Sequence, residues 1–295
     1  MERRRFLAGL AATAMIAGCQ RARGIAIGSK NFTEQLILGE LLAQVLEPVV
    51  HYSVERRFYL AGSYICHQSL LAGRIDMYVE YTGTALAAIL KEKNVPAGHA
   101  AVYEFVKDQY ARRFGLTVLP SLGFDNSFAI VMRRADALRF GISRLSQLAP
   151  FAPTLRMGVG YEFLERPDGY QGLAKRYGLN FAGVPRVMDL GLLYRALENH
   201  QVDVVAGSNT DGLIEALGLV VLEDDAGYFP PYDAVPIVRP EVLDRPGVAG
   251  ALARLSGRIS AEDMRRMNYA VDGAKKDAAV VVEDYIAQKQ LVARL

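Results

Sequence analysis

Short runs rich in β-branched residues alternate along this chain with longer segments whose apolar residues recur at helical spacing. The strand-like runs fall at 25–28, 53–60, 75–81, 127–133, 155–160, 184–188, 202–206, 219–222 and 234–238. Helical spacing predicts helices at about 32–46, 64–72, 84–91, 101–114, 170–177, 191–200 and 210–217. Three more close the chain at about 248–256, 261–271 and 278–290. Alternation of this kind predicts an α/β fold with largely parallel sheets. The first helix has the clearest start signal. Asn31 stands as N-cap with Glu34 three residues on, a capping-box spacing, and Leu36, Leu38, Leu41, Leu42 and Val45 follow as an apolar stripe.

Two stretches interrupt the alternation and then restart a strand. "LPSLGFDNSF" (119–128) carries turn residues, and "GYFPPYDAV" (227–235) carries a proline pair that fixes an extended segment. Read as crossings, they divide the chain into one lobe of residues 24–124 plus 232–295 and an inserted lobe of residues 125–231. The expected architecture is two-lobed, with a ligand cleft between the lobes.

The N-terminus changes the charge reading. "MERRRFLAGLAATAMIAGCQ" has a basic start, an apolar stretch and small residues before Cys19, which predicts a secretory signal over 1–18 and a tether over 19–23. "IAGC" resembles a bacterial lipobox, implying cleavage before Cys19 and lipidation of its sulfur. The arginine run fits either the twin-arginine or the general export route. The full chain carries 34 Lys+Arg against 32 Asp+Glu. Residues 1–18 hold Arg3, Arg4, Arg5 and Glu2, so 31 of each remain without them. A balanced chain gives no general reason to bind nucleic acid. With Cys19 lipidated, Cys66 has no partner and reads as a small buried hydrophobe.

Enzyme and metal chemistry find little support. His51, His67, His99 and His200 lack ligand spacing, and no nucleophile-elbow, zincin or β-lactamase-type motif occurs. No catalytic residue, metal site or cofactor is expected. Other residues are better placed. Lys30, in "GSKNFTEQ", precedes a helix N-terminus, so two positive features point toward one anion. Tyr81 ends a strand in "YVEYTGTAL", where a packed core ring is the plainer reading of that residue alone. Arg166 lies on the turn "ERPDG", suited to forking a carboxylate or to solvation at the surface. Tyr232 lies on one crossing and Phe128 just after the other, so a two-lobed fold gathers these rings with Tyr81 from separate stretches.

At this point the chain resembles a known family, the glycine betaine/choline-binding proteins of osmoprotectant ABC importers. The motifs are "GSKNFTEQLILGE", "ICHQSLLAGRIDMYVEYTGTAL", "EFLERPDGY", "VDVVAGSNTDG", "LVVLEDDAGYFPPYDAVPIV" and "MNYAVDGAKKDAAVVVEDYI", in order across about residues 24–292. The resemblance implies the type II periplasmic binding-protein fold and a quaternary ammonium ligand held in an aromatic cage. It also implies ABC permease and ATPase partners and a periplasmic or extracytoplasmic location, with attachment to the membrane through lipid on Cys19.

The resemblance implies a site as well. Lys30 and Arg166 match carboxylate-binding positions, and Thr84 a carboxylate-contacting threonine. Tyr81 and Tyr232 match cage tyrosines. Asn126 matches a backbone-carbonyl contact, and Phe128 a cage aromatic that is often Tyr. Ser208 departs from members that carry a cage tyrosine there, and Tyr161 is the candidate substitute. Leu213 stands where Arg is frequent, and "LAGSY" (60–64) replaces a usual Gly-Gly-Thr run. These departures leave open a larger trimethylammonium ligand such as carnitine or ergothioneine. A ligand-sensing receptor domain and an enzyme on the same scaffold are further readings that fold alone does not separate.

Overall fold

The computed structural model of the chain describes residues 24–94 and 96–292. The expected signal, the tether and Cys19 lie outside the described residues. Among the described residues ten strands form: β1 (Ile25–Gly28), β2 (Val54–Arg57), β3 (Met77–Tyr81), β4 (Thr117–Val118), β5 (Phe128–Arg133), β6 (Met157–Val159), β7 (Arg186–Val187), β8 (Val204–Ser208), β9 (Leu219–Val221) and β10 (Ala234–Val238). They build two five-stranded sheets, in the orders β2-β1-β3-β10-β4 and β7-β6-β8-β5-β9.

Each sheet runs largely parallel, with one reversed strand. The reversed strands are β10, antiparallel to β3 and β4, and β5, antiparallel to β8 and β9. Both are the first strand after a crossing between the sheets. The crossings meet at an isolated antiparallel bridge, Asp125 to Asp233, and the Asn126 N–H donates to the Tyr232 carbonyl at 3.0 Å.

Strand alternation gives each sheet two apolar faces. In the first sheet Ile25, Ile27, Met77 and Val79 join one core cluster, while Tyr78, Val235 and Ile237 join another. In the second sheet Ile130, Met132, Met157 and Val204 face one way, and Ala129, Val131 and Val205 the other. Helices cover both faces of both sheets, an arrangement in which parallel strands are buried.

Helix α1 (Thr33–Leu46) shows how sequence sets this packing. Ile37, Leu38, Leu41, Leu42, Val45 and Leu46 are buried, wider than a one-sided stripe. The cause is that α1 packs on β1 and β3 and also against the helices Val248–Ala253, Ala261–Asp272 and Ala278–Lys289. Truncating one such residue, for example Leu41→Ala, removes about 2–5 kcal/mol of stability.

Several sequence expectations need correction. The N-cap of α1 is Phe32 and makes no side-chain capping bond, so the Asn31–Glu34 capping box does not form. Glu34 instead bonds side chains distant in sequence. The helix expected over 84–91 is a short α-turn, Thr82–Thr84, continuing as a π-helix, Ala85–Ile89. Strand β4 and the helices Arg134–Phe140 and Tyr161–Glu165 were not expected. Each is too short for hydrophobic periodicity to register. Cys66 is buried, and burial pushes its thiol up to about 12.

Candidate functional site

A cavity of about 1170 Å³ lies between the halves built on the two sheets. The elements around it explain why its polar side chains are where they are. Lys30 follows β1 directly, and its side chain is 2 % exposed. Its ammonium contacts Glu80 Oε1 at 2.5 Å and donates to Ser63 Oγ at 3.2 Å. Glu80 sits on β3, where its carboxylate also accepts from the Tyr81 N–H at 2.8 Å. Ser63 opens the helix α2 (Ser63–Leu71).

Arg166 approaches from the other half, on the turn after the helix Tyr161–Glu165. It donates twice to Asp168, at 2.8 and 2.5 Å, and its Nη1 donates to Thr84 Oγ1 at 2.9 Å. Burial works against its charge, yet the Asp168 carboxylate holds the guanidinium above its ordinary value. Asp168 also accepts from the Tyr232 hydroxyl at 2.6 Å. Gly83 makes room for this ring: a Cβ there would stand 2.6 Å from Tyr232 and 2.7 Å from the Pro231 carbonyl.

The third element is a carboxylate that the sequence reading used only as a cap. Glu34, on α1, is 3 % exposed and lines the cavity. One oxygen accepts from the Tyr81 hydroxyl at 2.7 Å and from Asn126 Nδ2. The other accepts from Thr210 Oγ1 at 2.5 Å and Asn268 Nδ2 at 3.0 Å. These donors come from β3, from a crossing, from the end of β8 and from the helix Ala261–Asp272. Together with Arg166–Thr84 and a 2.8 Å bond from the Ser63 N–H to Glu162, they tie the two halves across the cleft.

Lys30, Tyr81, Thr84, Asn126, Phe128, Arg166, Ser208 and Tyr161 all line this one cavity. Tyr232 is not among its lining residues. It is 1 % exposed and packs its ring 5.5 Å from Phe128. The rings expected as cage walls are already engaged by the protein's own cations. The Lys30 ammonium lies 4.4 Å from the Tyr81 ring centroid, and the Arg166 guanidinium lies 5.0 Å from that of Phe128. Asn126 uses its side chain, accepting from Ser208 Oγ at 2.5 Å.

Tyr161 is 70 % exposed. A buried ring, Tyr194, stands directly beside Ser208: its hydroxyl would lie 2.0 Å from a Cβ on Gly207, and it bonds Asp211. Asp211 also accepts from the Ser208 N–H at 2.8 Å, and desolvation raises its carboxyl to about 7. Tyr194 was missed because helix 191–200 carried no motif, and Asp211 because its motif, "VDVVAGSNTDG", was read only for Ser208. The signal that could have found Glu34 was its place inside "GSKNFTEQ", beside Lys30.

Histidine spacing along the chain also missed one cluster. Ligand-capable atoms of His99, Asp125 and Asp233 lie within 4.8 Å of one another beside the crossings. Their own hydrogen bonds account for them: both Asp233 oxygens face His99 Nδ1 at 3.0 Å, and Asp125 accepts from Ser127 Oγ and the Tyr232 N–H.

Two α/β halves, joined by two crossings and enclosing a cavity lined by rings and buried charges, define a solute-binding protein. Residues 23–288 match the family model described as the substrate-binding domain of an ABC-type glycine betaine transport system. The chain belongs to that family. It is 33% identical over 264 residues to the ergothioneine transport permease/ergothioneine binding protein EgtU of Helicobacter pylori, with 89% of this chain aligned. The chain spans about half of that relative's length, 47%. It is 33% identical to a glycine-betaine-binding protein of Pseudomonas aeruginosa, covering 94% of this chain and 91% of that one. A crystal structure of a glycine betaine/carnitine/choline ABC transporter aligns with a TM-score of 0.74 and 32% identity, over 90% of this chain and 99% of that one. The fold is that of the type II periplasmic binding proteins. The chain is an extracytoplasmic substrate-binding component of an ABC-type betaine/osmoprotectant importer and not an enzyme. Among the described residues, no helix is long and apolar enough to cross a membrane.

Proposed function

We propose that the cavity binds a quaternary ammonium compatible solute: glycine betaine, choline or a related betaine. The observation that carries this reading is the buried carboxylate of Glu34 on a cavity that the rings Phe32, Tyr81 and Phe128 also line. A quaternary ammonium donates no N–H bond, so rings, shape and opposite charge must hold it. Each well-placed ring contributes about 0.5–2 kcal/mol.

The carboxylate of a betaine meets Lys30, Thr84 and Arg166 in this reading. Lys30 uses two of its three donors internally, and Arg166 three of its five. Each keeps N–H groups for a ligand oxygen. Their charges are offset by Glu80 and Asp168, so they offer hydrogen bonds more than net charge.

The halves act as lobes, 24–124 with 232–295 and 125–231, which close on the ligand by differential affinity. The closed form then docks on the permease, and lipid on Cys19 keeps the protein near it. The cavity volume leaves room for a bulkier betaine such as carnitine or ergothioneine, the second reading.

The test is a thermal-shift panel on the chain from residue 19 with glycine betaine, choline, carnitine, ergothioneine and proline betaine. Stabilisation follows occupancy. A dose-dependent rise in Tm with at least one of the five is expected; no shift with any of them contradicts the assignment.

A further inference from the structure

The charges on the cavity wall are not balanced alike. Lys30 and Arg166 each have a carboxylate at ion-pair distance. Glu34 has four partners, Tyr81, Asn126, Thr210 and Asn268, and all are neutral. Among the described residues no Lys, Arg or His forms an ion pair with it. Four donors stabilise a carboxylate without cancelling its charge. A buried charge with no counter-ion is costly, and Glu34 is one of the residues that line the ligand cavity.

The four donors matter in a second way. A carboxylate offers about four lone-pair sites, and four donors use them all. A primary ammonium entering the cavity would need a lone pair of its own and would find none. A quaternary ammonium needs only the opposite charge. We propose that Glu34 is the counter-charge for the ligand's cationic head, and that saturation of its oxygens selects methylated cations over those that donate hydrogen bonds. This inference rests on the ligand class proposed above and names the residue that enforces it.

Calorimetry with choline and ethanolamine, which differ in methylation of the head, tests it on three proteins. The unsubstituted chain should prefer choline by about a hundredfold or more. Glu34→Gln removes the charge and should lower choline affinity by at least about tenfold. Thr210→Val keeps the charge but frees one lone pair. It should narrow the choline-over-ethanolamine ratio by about tenfold, chiefly through a gain in ethanolamine. If Glu34→Gln does not fold, Thr210→Val decides alone, because a purely structural role predicts equal losses for both ligands.

Glu34→Gln binding choline as tightly as the unsubstituted chain, or Thr210→Val leaving the ratio unchanged, overturns the inference. A chain that binds glycine betaine but shows no preference between choline and ethanolamine overturns it while leaving the ligand class intact. A chain that binds no quaternary ammonium overturns the ligand class first, and this inference with it.

Discussion

Two parts of the same cavity wall treat charge in opposite ways. Where Lys30 and Arg166 stand, each cation is paired with a buried carboxylate, Glu80 or Asp168. Where Glu34 stands, the carboxylate is surrounded by neutral donors. The first wall is prepared for hydrogen bonding, since its net charge is offset. The second wall carries a charge that has no ion-pair partner among the described residues. Sequence alone gave weight to the basic residues, because Lys30 and Arg166 are conspicuous in their motifs. Their partners are remote in chain order, Glu80 fifty positions from Lys30, or hidden within a turn, like Asp168.

Breaking the pairing should give the largest effect. Glu80→Gln leaves Lys30 buried with no counter-ion and should cost about 3–5 kcal/mol of stability, read from urea unfolding. A loss below 1 kcal/mol would mean that Lys30 is not held by this pair. Tyr232→Phe removes a hydrogen bond to a charged group and should cost about 1.5–3 kcal/mol, with choline affinity nearly unchanged because the ring lies behind the wall. Tyr232→Ala should weaken all quaternary ammonium ligands, since Phe128 and Arg166 lean on that ring.

Arg166→Ala sharpens the contrast at the level of binding. It should weaken glycine betaine by about tenfold, about 1.4 kcal/mol, and choline by much less. Equal losses for both ligands would deny the division between anion-binding and cation-binding walls. The smallest expected effect is on pH dependence. The Asp211 carboxyl sits at about 7, raised by burial with further contributions from the Glu34 and Asp272 carboxylates. In the unfolded chain it titrates near about 4. Between those values the folded chain holds the extra proton, so its contribution to stability falls as pH rises from about 4 to about 7. Asp211→Asn should remove that slope from the urea midpoint; parallel curves for the two proteins would contradict the burial argument.

Much of the fold was legible because it is periodic. The bounds of β1 and β10 and of the helix Tyr170–Tyr177 match the pattern of apolar residues. The bound of α1 differs by one residue, yet the cap read into it does not form, because Glu34 has stronger partners brought by the fold. Motifs located Lys30, Tyr81, Thr84 and Arg166 at the cavity, since "GSK", "YTGT" and "ERPDG" each end a strand or turn at the cleft. They did not tell wall from support. Tyr232 lies one layer behind, and Tyr194 fills the space beside Ser208 from a helix without a motif. Contacts of that kind depend on which helix packs over which strand end, and local spacing does not encode them.

The central claim is that the cavity recognises positive charge on a methylated head. Choline and 3,3-dimethyl-1-butanol have nearly the same shape and differ in charge, nitrogen against carbon. Calorimetric titration of the unsubstituted chain with both should give choline an advantage of at least about a hundredfold, about 2.7 kcal/mol. Equal affinities for the charged ligand and its neutral counterpart would contradict the account.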